Sequence, residues 1–177
     1  SFYRGREGDD VEANAKRAAR AEDMIRAYGT PLLRLCAACL GDVSLAEDAV
    51  QDTFLKAYRH LDAFSAQSAK AEKAWLCRIA VNTCRDYLRS AWMRRTVRGE
   101  SAAALIDRAA APEDIGLTEA IFSLPLKPRE ALLLRYYQNF SVEEIARILR
   151  VPRPTVYARL SRAKKLLNDA LGGDWDG

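Results

Sequence analysis

Apolar residues recur along this chain at intervals of three and four, whereas the alternation of apolar and polar residues typical of a strand is absent. The clearest stretch covers about 44–62, where one stripe of apolar residues would face a core. That stripe consists of Val50, Phe54, Ala57 and Leu61. The pattern predicts an all-α protein.

Other helices follow from the same periodicity. A first helix is expected over Ala21–Gly41, interrupted or bent near Pro31. After a loop at Ala63–Ala74, a long helix is expected over Trp75–Arg95. Residues 1–20 hold little that could be buried, so they are expected to form a flexible tail.

The C-terminal part carries the most specific pattern. An apolar helix is expected over Arg129–Tyr137, and Ser141 with Glu144 three residues later predicts a capping box that opens a short helix. A tight turn follows, and Pro154 suits the first turn of a longer basic helix. A short helix, a tight turn and a basic helix form a helix-turn-helix, whose second helix enters the DNA major groove.

The expected organisation is two small helical domains joined by a flexible tether. The predicted segments are a flexible N-terminal tail at 1–20, a first unit at 21–95, a linker at 96–111, a second unit at 112–171 and a C-terminal tail at 172–177. When the protein is free in solution, such a tether permits both a compact and a splayed arrangement.

Charge is segregated along the chain although the net charge is only +4. The segment 42–52 has four acidic residues and no basic one, whereas 73–98 has seven basic residues and one acidic. The segment 145–167 has seven basic residues and no acidic one. Charge polarised in this way indicates more than one kind of partner.

Two helix faces are candidate binding surfaces. Asp48, Asp52, Leu55 and Arg59 share the face of the 44–62 helix opposite its apolar stripe. On the next helix a polar face follows Trp75, and its members are Arg78, Asn82, Arg85 and Arg89. Arginine contacts phosphates and base edges, and aromatic rings stack on unpaired bases. The alternative is that each face serves only solubility.

The sequence gives little support for catalysis or metal binding. The single histidine, His60, and the Cys36–Cys39 pair do not complete a convincing zinc site, and small buried thiols are the simpler interpretation. A thiol redox or zinc switch at Cys36 and Cys39 remains the alternative. We expect no enzymatic activity, no cofactor and no metal. No apolar run approaches a membrane span and no signal peptide opens the chain, so a cytoplasmic protein without membrane insertion is expected.

Four stretches together resemble bacterial sigma factors of the extracytoplasmic-function (ECF) type in the sigma-70 family. They are AEDAVQDTFLKAYRHLDAF (46–64), AWLCRIAVNTCRDYLR (74–89), LPLKPREALLLRYYQNFSVEEIA (124–146) and VPRPTVYARLSRAKKLL (151–167). The resemblance implies sigma region 2 in the first unit and sigma region 4 in the second. It also implies a transcription initiation factor that directs core RNA polymerase to promoters, and regulation by an anti-sigma factor.

The resemblance further implies where the partners bind. The β′ clamp helices of core polymerase would dock on an acidic face made of Asp48, Gln51, Asp52 and Leu55. The promoter −10 element would bind Asn82, Arg85, Asp86 and Arg89. Together with Trp75 and Arg78, which the spacing along the helix adds, these residues are the arginine face. The −35 element would be read by Arg153, Thr155, Tyr157, Arg159 and Arg162. A base of the melted strand would enter the 63–74 loop, and the β flap of polymerase is a further expected partner.

Some positions depart from the family pattern. The family usually has Gly-Thr-Val where Pro154, Thr155 and Val156 stand, and often a glycine near Arg150. The family usually has a basic residue after that valine, whereas this chain has Tyr157. These differences concern which −35 sequence is read. The competing interpretation is a helix-turn-helix regulator that binds duplex DNA without being a polymerase subunit.

Overall fold

The structure of the protein is a computed structural model that describes residues 3–65, 68–98 and 115–173, with side chains for 7–65, 68–90 and 116–173. Its helices are α1 (Tyr3–Leu40), α2 (Val43–Arg59), α3 (Ala69–Arg98), α4 (Ile115–Ser123), α5 (Leu126–Leu132), α6 (Val142–Leu149) and α7 (Arg153–Leu171). A π-helical turn, Leu133–Tyr137, continues α5. These residues contain no strand, which confirms the predicted all-α fold.

Helices α1, α2 and α3 pack together as the first unit. The turn between α1 and α2 needs a left-handed backbone at Gly41, whose φ is 68° and whose N–H donates to the Ala37 carbonyl at 2.8 Å. Asp42 then caps α2 by accepting a hydrogen bond from the Leu45 N–H at 3.0 Å. This short connection places α2 antiparallel to the end of α1.

The core of the first unit is built from small and aliphatic side chains. Its fully buried residues include Leu32, Leu35, Cys36, Cys39, Leu61, Leu76 and Ala80. On α2 the residues most deeply buried are Ala46, Ala49, Thr53 and Ala57. Of the predicted stripe, Ala57 and Leu61 are therefore buried, whereas Val50 and Phe54 are half-buried at its edge.

Helix α1 begins at Tyr3, inside the segment expected to be a flexible tail, and continues through Pro31 without interruption. The segment has four alanines and four arginines, which favour helix without needing a core. Arg17 also anchors it, since its guanidinium donates to the Tyr58 carbonyl at 2.7 Å and lies 3.3 Å from the Asp62 carboxylate.

Helix α3 begins earlier and ends later than the sequence suggested. The Ser68 hydroxyl accepts a hydrogen bond from the Ala71 N–H at 3.0 Å, so the helix starts at Ala69 and the loop before it is shorter than 63–74. At its other end the helix reaches Arg98, inside the predicted linker. The rest of that linker, from residue 99, lies outside the described residues, as do 174–177 of the predicted C-terminal tail.

The second unit contains the predicted helix-turn-helix. The capping box at the start of α6 is confirmed, because Ser141 Oγ accepts from the Glu144 N–H at 3.2 Å and the Ser141 N–H donates to Glu144 Oε2 at 3.0 Å. Arg150 ends α6 in a left-handed conformation with φ 54°. Pro152 caps α7, and Pro154 lies in its first turn.

Helix α7 supplies one side of the second unit's core, and three of its four predicted buried positions are fully enclosed. Val156, Ala163 and Leu167 have no measurable exposure, and Leu160 is half-buried. Across from them, Ile145 of α6 is also fully buried. The two helices are therefore locked together by the apolar positions that the sequence indicates.

The two units lie against each other in this structure. Arg85 of α3 forms a bidentate ion pair with Glu130 of α5. Arg129 donates from Nη1 to the Cys39 carbonyl at 2.8 Å, and Gln138 donates from Nε2 to the Pro31 carbonyl at 3.1 Å. Of the two arrangements that a tether permits, the structure shows the compact one. Within the described ranges, no helix is both long and apolar enough to span a bilayer.

Candidate nucleic-acid interface

The acidic face lies along α2. Asp48, Gln51 and Leu55 are exposed, and Leu55 retains 54% of its accessible surface. Asp52 differs from them because it is half-buried and accepts a hydrogen bond from the Tyr87 hydroxyl of α3. Burial first, and then this hydrogen bond, raise the pKa of Tyr87. The face therefore has an exposed part and one carboxylate that also holds α2 to α3.

An apolar groove of about 490 Å³ runs between α1 and α2 beside this face. Gln51 and Leu55 line it from the acidic face, together with Val50 and Phe54. Ile25 lines it from α1 and is 49% exposed. The half-buried positions of the predicted α2 stripe therefore form the floor of an open groove. The sequence pattern could not separate such positions from core.

The arginine face lies on α3, and the structure divides its residues into two groups. Asn82, Asp86 and Arg89 are exposed, and Asp86 lies 3.7 Å from Arg89 and 3.9 Å from Lys56. Arg78, Arg85 and Trp75 are half-buried. The Glu130 carboxylate raises the pKa of Arg85 by accepting its hydrogen bonds.

Trp75 has a partner that the sequence did not indicate. Its ring stacks on Phe64 with the centroids 4.1 Å apart and the planes 4° from parallel. Phe64 stands in the loop before α3, where the resemblance places the entry of a flipped base. The sequence shows an aromatic residue, Phe64, eleven positions before Trp75. Spacing across a loop does not determine whether two such rings stack.

The candidate duplex-reading residues lie on α7. Arg153, Tyr157 and Arg162 are exposed, whereas Thr155 and Arg159 are half-buried. Arg153 lies 3.4 Å from Glu143 of α6, so one of the arginines is shared between the two helices of the motif. Nη1 of Arg159 is buried and has no hydrogen-bond partner among the described residues.

The four cysteines are buried inside the first unit as free thiols. Burial raises the pKa of Cys77 to about 12, and hydrogen bonding with Cys36 and Cys39, together with burial, raises the pKa of Cys84. Thiols held neutral in this way are poor nucleophiles. The described residues contain no group of three or more His, Cys, Asp or Glu arranged to hold a metal ion.

Family models match both units. The model for sigma-70 region 2 matches residues 24–96, and the model for sigma-70 region 4 matches residues 116–167. SigW of Bacillus subtilis, an ECF RNA polymerase sigma factor, is 30% identical over 84% of this chain and 87% of its own length. The chain belongs to the ECF sigma factors of the sigma-70 family.

Other relatives agree with this assignment. The ECF sigma factor SigM of Mycobacterium tuberculosis is 37% identical over 72% of the chain, and the match spans 64% of SigM itself. The sigma factor RpoE of Bartonella quintana, solved with the anti-sigma factor NepR, has 25% identity and a TM-score of 0.68 over 87% of this chain and 98% of that one. CnrH has the same fold, with 24% identity and a TM-score of 0.67 over 91% and 96% of the two chains.

The family regions contain the candidate surfaces of this sigma factor. Region 2 holds the acidic face, the groove and the arginine face, and region 4 holds α7. The structure groups each predicted set on one helix. It does not present every member to solvent, because Asp52, Arg85 and Trp75 are engaged by Tyr87, Glu130 and Phe64 respectively.

Proposed function

We propose that this protein binds core RNA polymerase and directs it to specific promoters, recognising and helping to melt the −10 element and reading the −35 element. The observation that carries the proposal is the combination, in one chain, of a region 2 with an acidic and an arginine face and a region 4 with a basic helix-turn-helix. In this mechanism the protein makes and breaks no covalent bond. Polymerase does the chemistry, and both act in the cytoplasm.

Polymerase would dock on the acidic face and the adjoining groove. Exposed Asp48 and Gln51 offer charge and hydrogen bonding to the β′ clamp helices, while Leu55 and Ile25 offer apolar area. An apolar centre with a polar rim is the usual anatomy of a protein interface. The β flap would contact region 4.

The −10 element would bind along α3. Asn82 and Arg89 are accessible to DNA, and Asp86 orients Arg89 from one turn away. Extruding a base from the duplex costs a few kcal/mol, which stacking on an aromatic ring can offset. The Phe64–Trp75 stack stands beside the loop that would receive such a base, so a flipped base would add to this stack or replace one ring of it.

The −35 element would be read by α7 in the major groove. Arg153, Tyr157 and Arg162 are exposed on α7, outside its buried stripe. Arginine can bind guanine through two hydrogen bonds, and a good pair of this kind discriminates by about 1–3 kcal/mol. Arg159 would bring its buried Nη1 to a phosphate or base by a change of rotamer.

An anti-sigma factor is proposed as the regulator. The RpoE relative was solved in complex with one, and the chain covers 98% of that protein.

In vitro transcription tests the proposal. Core polymerase alone and core polymerase with this protein would be incubated with fragmented genomic DNA, and transcript 5′ ends would be mapped. We expect new start sites that share two upstream sequence elements. If the protein binds duplex DNA but core polymerase gains no start sites, it is a helix-turn-helix regulator instead.

A further inference from the structure

Region 4 covers part of the arginine face. Arg85 Nε donates to Glu130 Oε1 at 2.8 Å, and Arg85 Nη2 donates to Glu130 Oε2 at 2.6 Å. Only 1% of the Glu130 surface is exposed. A carboxylate that accepts two parallel hydrogen bonds from one guanidinium presents the same geometry as a phosphate. Glu130 therefore occupies the hydrogen-bonding edge of Arg85 that DNA would use.

The contact continues toward the start of α3. Lys73 donates to the Gln138 carbonyl at 3.3 Å, and its ammonium lies 5.4 Å from the centre of the Phe140 ring. Lys70 forms a 3.0 Å ion pair with Glu144. Region 2 and region 4 also share the lining of a cavity of about 160 Å³, formed by Ala74, Trp75, Arg78, Arg147 and Ile148.

This arrangement cannot engage both promoter elements together. Elements centred near −10 and −35 are about 25 base pairs apart, or about 85 Å along a duplex. Helix α3, with 30 residues, is about 45 Å long. A molecule whose α3 touches α6 and whose Arg85 touches Glu130 has its two DNA-binding units too close together, so the units must separate when both bind.

We propose that the structure is a closed resting state in which region 4 masks the −10 surface of region 2 and Glu130 holds Arg85 in place of DNA. This inference rests on the proposed function. Its contacts between units include hydrogen bonds and ion pairs, which water and DNA phosphates can replace when the units separate. Interfaces between domains of a single chain are on average more polar than obligate ones, and the domains commonly move relative to each other across them.

Glu130→Gln tests the lock because it removes the charge and keeps the size of the side chain. Small-angle scattering of the free protein should show a larger radius of gyration than wild type. Affinity for a labelled, random-sequence single-stranded 20-mer should rise about tenfold, because apparent affinity scales with the fraction of open molecules. Glu119→Gln, at an exposed position on α4, is the matched control and should change neither quantity.

Two further measurements keep the test decisive if Glu130→Gln does not fold. Gln138→Ala removes the hydrogen bond to the Pro31 carbonyl and should also expand the protein. The scattering profile of wild type should match the profile calculated for the closed structure. A profile of two separated domains would overturn the inference. Folded variants that keep wild-type scattering and wild-type DNA affinity overturn it too.

Transcription with core polymerase distinguishes a failure of the proposed function from a failure of the closed state. If wild type starts no transcripts, the proposed function fails. If wild type starts transcripts, while the scattering and the single-strand affinity of Glu130→Gln equal those of wild type, only the closed state fails.

Discussion

The hydrogen bond from the Tyr87 hydroxyl to Asp52 joins the helix of the acidic face to the helix of the arginine face. A substitution at Asp52 would therefore disturb α3 as well as any docking on α2. Asp48 is exposed on the same acidic face. Asp48 is for this reason the better position at which to test polymerase binding.

Asp48→Arg should weaken association with core polymerase while leaving the free protein's binding to duplex −35 DNA unchanged. The expected loss is at least tenfold, because charge reversal places like charges opposite each other in the interface. Asp10→Arg introduces the same change in charge at an exposed position of α1, outside both matched regions, and should bind polymerase normally. Equal binding by the two variants would show that the acidic face is not the docking site.

Arg162→Ala should weaken binding to the promoter duplex by about 1–3 kcal/mol if Arg162 reads a base edge. The slope of log affinity against log salt should stay nearly constant, because a base contact does not change the number of neutralised phosphates. Lys164→Ala removes the same charge from an exposed position outside the predicted reading set. A parallel loss with both substitutions, together with a shallower salt slope, would make Arg162 a phosphate contact.

The buried cysteines should react slowly with alkylating reagents. The pKa values of Cys77 and Cys84 are raised, so their reactive thiolate fraction at pH 8 is far below that of an exposed cysteine. Iodoacetamide labelling followed by mass spectrometry should show little modification in native buffer and modification of all four cysteines in guanidinium. Rapid native labelling of Cys36 or Cys39 would instead favour a thiol switch.

The capping box of Ser141 and Glu144 determines where helix α6 begins. Ser141→Ala should lower the free energy of unfolding by about 1 kcal/mol, the usual cost of losing such a cap. Ser161→Ala, at an exposed position of α7, is the control and should change it by a few tenths at most. Denaturant unfolding followed by circular dichroism measures both.

The capping box also has a pH dependence through Glu144. Burial acts to raise the pKa of Glu144, but the Ser141 N–H and Lys70 outweigh it, so its pKa is lowered in the folded protein. A lowered folded pKa gives stability that is present above the unfolded pKa and is lost as pH falls through the folded value. The difference in unfolding free energy between wild type and Glu144→Gln should therefore shrink in acid, because the glutamine carries no charge to lose. A constant difference from pH 7 to pH 3 would leave Glu144 without a part in the cap.

The helix-turn-helix was predictable because its signals are local. Ser141, Glu144 and Pro154 mark helix starts through their own backbone chemistry, and the stripe of α7 follows helical spacing. The helix over residues 3–20 did not follow from the apolar pattern, because it depends on composition and on one anchor, Arg17, whose partner Tyr58 is 41 positions away. On α2, spacing indicated the correct side of the helix, but it could not show that α1 leaves Val50 and Phe54 at a groove.

The sequence predicts the two units of the molecule, but it does not predict the contact between them. Arg85 and Glu130 are 45 positions apart, and either one alone resembles an ordinary charged residue on a helix surface. The four stretches identify the arginine face because those residues share one helix. Nothing in their spacing shows that a carboxylate from the other unit covers the face, since that depends on how two separate cores meet.

The joint between α6 and α7 has a consequence for how promoter preference diverges. Left-handed Arg150, followed by Pro152 and Pro154, sets where α7 starts, and the buried apolar residues of α6 and α7 hold its direction. Side chains on the outer surface of α7 can then be exchanged without tilting the helix. A duplicated copy of this gene could acquire a new set of target genes by a few substitutions there, with its folding left intact.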